Sequence, residues 1–152
     1  FWQFTQVRKM ADVNKGGRPS GEKTRCSGQW TEARFRSFVK GNLRRICNKW
    51  APITEVKKEA RVGRGQYKCA GCGSVVPNSI VVDGKRVNNI FVDHIVPIVD
   101  PSVGWTNWDD VIEGMFSEKD NLQLLCKECH DVKTKEERDI AVERRRKEKE
   151  DV

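Results

Sequence analysis

The stretch 126-CKECHDVKT-134 admits two incompatible readings, and the choice between them decides the fold. Cys126-x-x-Cys129-His130 is the signature of covalent c-type haem attachment, and its first half is equally one arm of a zinc site. Upstream lies a second pair, Cys69-x-x-Cys72, separated from the first by 53 residues. Four thiolates suit a closed tetrahedral zinc site, because soft sulfur ligands in fixed geometry satisfy the ion without leaving a reactive position. Haem attachment needs an export or attachment system, an apolar pocket and a second axial ligand. This chain is basic, shows no secretion-like segment and already provides Cys126 and Cys129 with partners, so the expected cofactor is structural Zn²⁺ and not haem. That assignment leaves His130 without a role in the zinc site.

Composition bounds the rest. The 152 residues allow one domain with a modest core, since 37% hydrophobic content is low for that size. The formal net charge of +7 favours a polyanionic partner. Residues 1–68 hold 17 Lys and Arg against 5 acids, whereas residues 69–152 hold 12 against 17, so the grip belongs to the first half. No run of 18 apolar residues occurs, which predicts no transmembrane span, no membrane partner and an intracellular location. Cysteines there are reduced or metal-bound, and Cys26 and Cys47, which lack partners at metal spacing, read as ordinary thiols.

Residues 1–27 show no sustained period and read as a flexible basic arm. Within it, 16-GGRPSGEKT-24 approximates a phosphate loop, but Glu22 intrudes between Gly21 and Lys23 and no apolar strand precedes it. From Trp30 to Trp50 the apolar residues Trp30, Phe35, Phe38, Val39, Leu43, Ile46, Cys47 and Trp50 fall at helical steps, with cations between them. Pro52 is expected to stop that helix, and 54–63 to form a second, capped by Thr54 and closed near Gly63. Around the Asp83-Gly84 turn signal, Ile80–Val82 and Arg86–Val92 predict a hairpin. A helix is expected from about Asn107, a short apolar segment at 121–126, and a last helix beginning near the second cysteine pair with an exposed distal half. Arg34, Lys40, Arg44, Arg45, Arg61, Arg64 and Lys68 cluster in the basic half and are the candidate phosphate contacts, which predicts steep salt dependence of binding.

The chain has two histidines, His94 in 93-DHIVP-97 and His130. A carboxylate and an imidazole converging beside a zinc-pinned scaffold make an open site for Mg²⁺, Mn²⁺ or another divalent ion, with water and phosphate completing it. A hydrogen-bonded structural histidine is the competing reading of each.

Asp93-His94-Ile95, Asn121-Leu122-Gln123 and Cys126-x-x-Cys129-His130-x-x-Lys133-Thr134, in that order after Cys69-x-x-Cys72, resemble the HNH endonucleases of the four-cysteine zinc type, including those encoded by bacteriophages and the homing endonucleases. The resemblance implies an α+β chain with a ββα-metal core stapled by zinc, N-terminal basic helices and a C-terminal helix. Its implied organisation is an arm over 1–27, a basic helical DNA-binding extension over 28–65, a nuclease core over 66–138 and an exposed charged tail over 139–152. By the same resemblance His94 is the general base, Asn121 orients it, and Asp93 with His130 holds the divalent ion of DNA hydrolysis. The insert 100–120 departs from the commonest family form; its Trp105 and Trp108 are expected to pack. A non-catalytic zinc-ribbon-like nucleic-acid-binding module and a nuclease of phage DNA packaging remain open alternatives, with a monomer as the default state.

Overall fold

The computed structural model describes residues 21–151 and divides the chain into two compact units, the first ending at Gly41 and the second beginning at Asn42. The phosphate-loop-like stretch 16–24 lies mostly outside the described residues, as does most of the expected arm. In the first unit, β1 (Lys23–Arg25) pairs antiparallel with β2 (Trp30–Thr31). The turn between them uses positive φ at Cys26, Ser27 and Gly28. Thr31 caps the following helix α1 (Glu32–Cys47) by accepting the Arg34 N–H at 3.2 Å. Arg25 pairs with Glu32 at 2.7 Å and lies over the Phe35 ring, while Arg34 lies over Trp30.

The expected helix over 30–50 is therefore shorter, and its apolar stripe is less buried than its spacing predicts. Phe38 and Ile46 are more than half exposed, and within α1 Cys47 is the buried residue. Pro52 does not merely stop α1; it lies in the first turn of α2 (Ala51–Glu59), where its missing N–H costs no helical bond. α2 thus starts before Thr54 and ends at Glu59, and 61–63 is strand, not helix: β3 (Arg61–Gly63), β4 (Gln66–Lys68) and β5 (Val75–Pro77) form an antiparallel sheet.

The predicted hairpin also divides differently. β6 (Ser79–Val82) pairs with β7 (Lys85–Asn88), and the chain then breaks at Asn89 before β8 (Ile90–His94). Asn89 is buried; its amide donates to Asn78 O and its side chain to Pro77 O, so it turns the chain out of one sheet and into another. β8 pairs antiparallel with β9 (Leu122–Cys126), and α4 (Lys127–Glu150) follows directly. Strand, strand and helix in that order give the mixed α+β arrangement of the ββα type. Between the strands lies α3 (Trp108–Met115), capped by Asn107, whose side chain accepts the Asp110 N–H. No described helix is long and apolar enough to cross a membrane.

Among the described residues ten hydrophobic side chains are buried, and they fall into three small clusters. Val56, Ile90, Leu122 and Leu124 join α2 to β8 and β9; Cys47, Val111 and Met115 join α1 to α3; Cys69, Leu125 and Cys126 lie at the cysteine cluster. Leu124 is 2% exposed, and Leu124→Ala should cost about 2–5 kcal/mol, read as a lowered urea midpoint at unchanged slope.

Candidate metal centre and active site

The sulfurs of Cys69, Cys72, Cys126 and Cys129 all lie within 4.8 Å of one another. A tetrahedron with Zn–S bonds of about 2.3 Å has edges of roughly 3.8 Å, so the donor set fits that ion. Cys72 Sγ and Cys126 Sγ are already 3.9 Å apart. Cys69 and Cys72 come from the turn between β4 and β5, Cys126 ends β9, and Cys129 is in the first turn of α4. Backbone contacts close the two arms: Ala70 N–H donates to Leu124 O at 2.8 Å, and Cys126 N–H to Cys69 Sγ at 3.2 Å. A Cβ at Gly71 would stand 3.1 Å from Cys129 Sγ and 3.2 Å from Leu125, so the approach depends on its absence.

The thiols ionise unequally. Burial would push Cys69 up, but the amides of Cys126, Cys72 and Gly71 outweigh it and draw the group down to about 6. Cys129 is pushed up to about 12 by the Cys126 thiol and by burial. Four thiolates without a cation are thus mutually unfavourable, and a divalent ion is what lets all four ionise together.

His94 ends β8, opposite Leu122. Its Nε2 lies 2.9 Å from the carbonyl of Met115, at the C-terminal end of α3. A carbonyl can only accept, so in the neutral ring Nε2 carries the proton and Nδ1 keeps its lone pair. The same carbonyl accepts the Cys47 thiol at 3.1 Å, and Trp50 Nε1 donates to Ser117 O at 2.8 Å. Asn121 clamps the residues after His94: its Oδ1 accepts Val96 N–H at 2.9 Å, its carbonyl accepts Ile95 N–H at 2.9 Å, and its Nδ2 donates to Ser117 Oγ. The insert is therefore more than packing. Trp105 and Trp108 do pack edge to face, with Trp105 against the Cys47 cluster, but the end of α3 also holds His94.

Asp93 and His130 belong to the seam between β8 and α4. Phe91 and Asp93, two apart on the strand, share a face, as do His130 and Lys133, three apart on the helix. The His130 ring stacks on Phe91 at 4.4 Å, and Lys133 Nζ lies 2.8 Å from Asp93 Oδ2. His130 Nδ1 and Asp93 Oδ2 are both buried without an aligned hydrogen bond, the latter meeting Lys133 through charge alone. Lys133 also donates to His94 O at 2.8 Å and pairs with Glu137. Burial alone would lower its pKa; the Asp93 and Glu137 carboxylates outweigh this and raise it. An imidazole nitrogen and a carboxylate oxygen left unsatisfied in one seam fit a divalent cation. Lys133, Met115 and Cys47 had no assigned role in the sequence; only the i+3 spacing of Lys133 from His130 signals its face.

The candidate phosphate contacts fall in different places. Arg34 and Lys40 are in the first unit; Arg44 and Arg45 lie in the last turn of α1; Arg61 and Lys68 are on β3 and β4, with Arg64 in their turn. All but Lys40 are exposed.

Zinc uptake by the metal-free chain should release protons, more at pH 5 than at pH 8, because Cys69 takes up a proton as pH falls through about 6. The sign follows from its depressed value, whose stabilising contribution is lost on acidification. Titration calorimetry in buffers of different ionisation enthalpy reads this, and Gly71→Ala should weaken zinc binding at least tenfold. Residues 69–136 match the HNH endonuclease family model. No curated protein and no solved structure matches the chain, so the likeness to HNH endonucleases rests on that segment and on the four-cysteine cluster within it.

Proposed function

We infer that this chain hydrolyses phosphodiester bonds of DNA with a divalent cation, as an HNH endonuclease with a structural Zn²⁺ at Cys69, Cys72, Cys126 and Cys129. The single observation that carries the reading is the contact of His94 Nε2 with the Met115 carbonyl. It fixes the tautomer whose Nδ1 can take a proton from water attacking a phosphate, which is what a general base must do. Asn121 is the positioning residue: its bonds to Ile95 and Val96 hold the backbone from which His94 projects. Asp93 and His130 are the residues that would hold Mg²⁺, Mn²⁺ or a related ion. Such an ion supplies charge stabilisation for the pentavalent phosphorus and the departing 3′ oxygen. Lys133 holds Asp93 and the His94 carbonyl together and keeps a positive charge beside the carboxylate. The seven basic residues from Arg34 to Lys68 bind the phosphate backbone. The homing endonuclease of a bacteriophage, acting as an intracellular monomer, is the setting that the resemblance implies.

Plasmid nicking in Mg²⁺ and in Mn²⁺ tests the assignment. His94→Ala should lower the rate at least a hundredfold while zinc content and DNA binding persist, and Asn121→Ala should lower it by a smaller factor. A His94→Ala protein that cuts as well as the parent removes the proposed base. Parental protein that binds DNA and never cuts it favours the non-catalytic module.

A further inference from the structure

The hairpin formed by β6 and β7 belongs to none of the elements given a role above. It pairs with no third strand, and residues 81–86 are all exposed. Its turn is tight: Asp83 and Gly84 both take positive φ, at 49° and 73°, the two-residue geometry that matches strand twist. An isolated two-stranded ribbon is marginal by itself, and one exposing Val81 at 68% carries an edge liability unless a partner covers it.

Its base, by contrast, is fixed. Asn78 N–H donates to Gly65 O, Asn89 N–H to Asn78 O, and Lys127 N–H to Asn89 O at 3.0 Å, which ties the hairpin to the turn after β3 and to the start of α4 beside the cysteine cluster. The ribbon therefore leaves the metal-pinned scaffold in a set direction.

Charge identifies what it meets. Between residues 60 and 92 there are five cations, Arg61, Arg64, Lys68, Lys85 and Arg86, and one acid, Asp83. Among the described residues none of these five has an ion-pair partner, whereas cations along α4, such as Lys127, Lys133, Arg144 and Arg146, are matched by carboxylates. The unneutralised charge is on the strands and the exchanged charge is on the helix. Cross-strand pairing sets Val81 against Arg86 and Val82 against Lys85, so each cation has an exposed apolar neighbour. A strand of four residues spans roughly 13 Å, comparable with a major groove about 12 Å wide that admits a two-stranded ribbon.

We propose that the β6–β7 hairpin is a DNA-binding ribbon that enters the major groove of duplex DNA, with Lys85 and Arg86 as its contacts and Val81 on the face turned to the base edges. The proposal rests on the DNA reading above and adds to it an element and a groove. Arg86 beside Val81 offers a guanidinium for guanine and an apolar surface for a thymine methyl, the two contacts that read sequence there.

The test uses the full-length zinc-loaded protein, without added Mg²⁺ or Mn²⁺, and a fluorescent 30-base-pair duplex followed by anisotropy across a salt series. Lys85→Ala/Arg86→Ala should weaken binding at least tenfold and reduce the salt slope by about 1.8, the value for two lost phosphate-range charges. Val81→Ser should weaken binding while leaving the slope unchanged. Methylation protection at guanine N7 seen with the parent should be lost in the double variant. Unchanged affinity and slope in a double variant of unaltered zinc content and thermal midpoint overturn the ribbon and leave the nuclease reading intact. An effect confined to double-stranded RNA also overturns it. A parent that binds no duplex DNA overturns both.

Discussion

The convergence of four sulfurs at the junction of β9 and α4 is the constraint on which the second unit depends. Ten buried hydrophobic side chains in three clusters make a thin core for a chain of this length, and two of them, Cys69 and Cys126, belong to the sulfur cluster itself. The cluster joins segments 53 residues apart in sequence, and it does so where β8, β9 and α4 meet. A tetrahedral ion there supplies cohesion that apolar burial does not. The amides around Cys69 and the bare backbone of Gly71 are the local adaptations that let the thiolates approach.

From that junction the structure runs in two directions along one pair of strands. Ile90 faces Cys126 at the sulfur end of the β8–β9 ladder, and His94 faces Leu122 at the other, four residues on. Register transmits the position of the metal centre to His94, but it does not set the orientation of the imidazole. That task falls to α3, whose last carbonyls meet His94, Cys47 and Trp50 at once. Asn121 then secures the backbone beyond His94, and Lys133 reaches from α4 to its carbonyl. The imidazole is thus held from β9, α3 and α4, the kind of support that keeps a reactive group within a narrow geometry.

Much of this was legible in the residues. Cysteine spacing located the sulfur cluster, the order of Asp93, His94, Asn121 and His130 located the strand and helix that carry them, and Asn107 marked the start of α3. What sequence reading missed has physical causes. Pro52 was read as a terminator although the first turn of a helix tolerates it equally well. The β-branched run 86–92 looked continuous because propensity does not register a change of partner; the buried amide of Asn89 makes that change. Periodicity placed Phe38 and Ile46 on a core stripe, but α1 has few neighbours to bury them. The Met115 carbonyl carries no side-chain signature at all, so no spacing rule could have assigned its role.

The central claim is that a zinc-stapled ββα unit presents His94 to a DNA phosphate beside a divalent ion. Its most direct measurement is cleavage of an end-labelled duplex by the zinc-loaded protein in Mg²⁺, Mn²⁺ and Ni²⁺, with both strands mapped and the new ends identified. The account predicts cleavage that requires the added ion and leaves 3′-hydroxyl and 5′-phosphate ends. Intact DNA in all three ions, from protein that retains its zinc and binds the duplex, would contradict it.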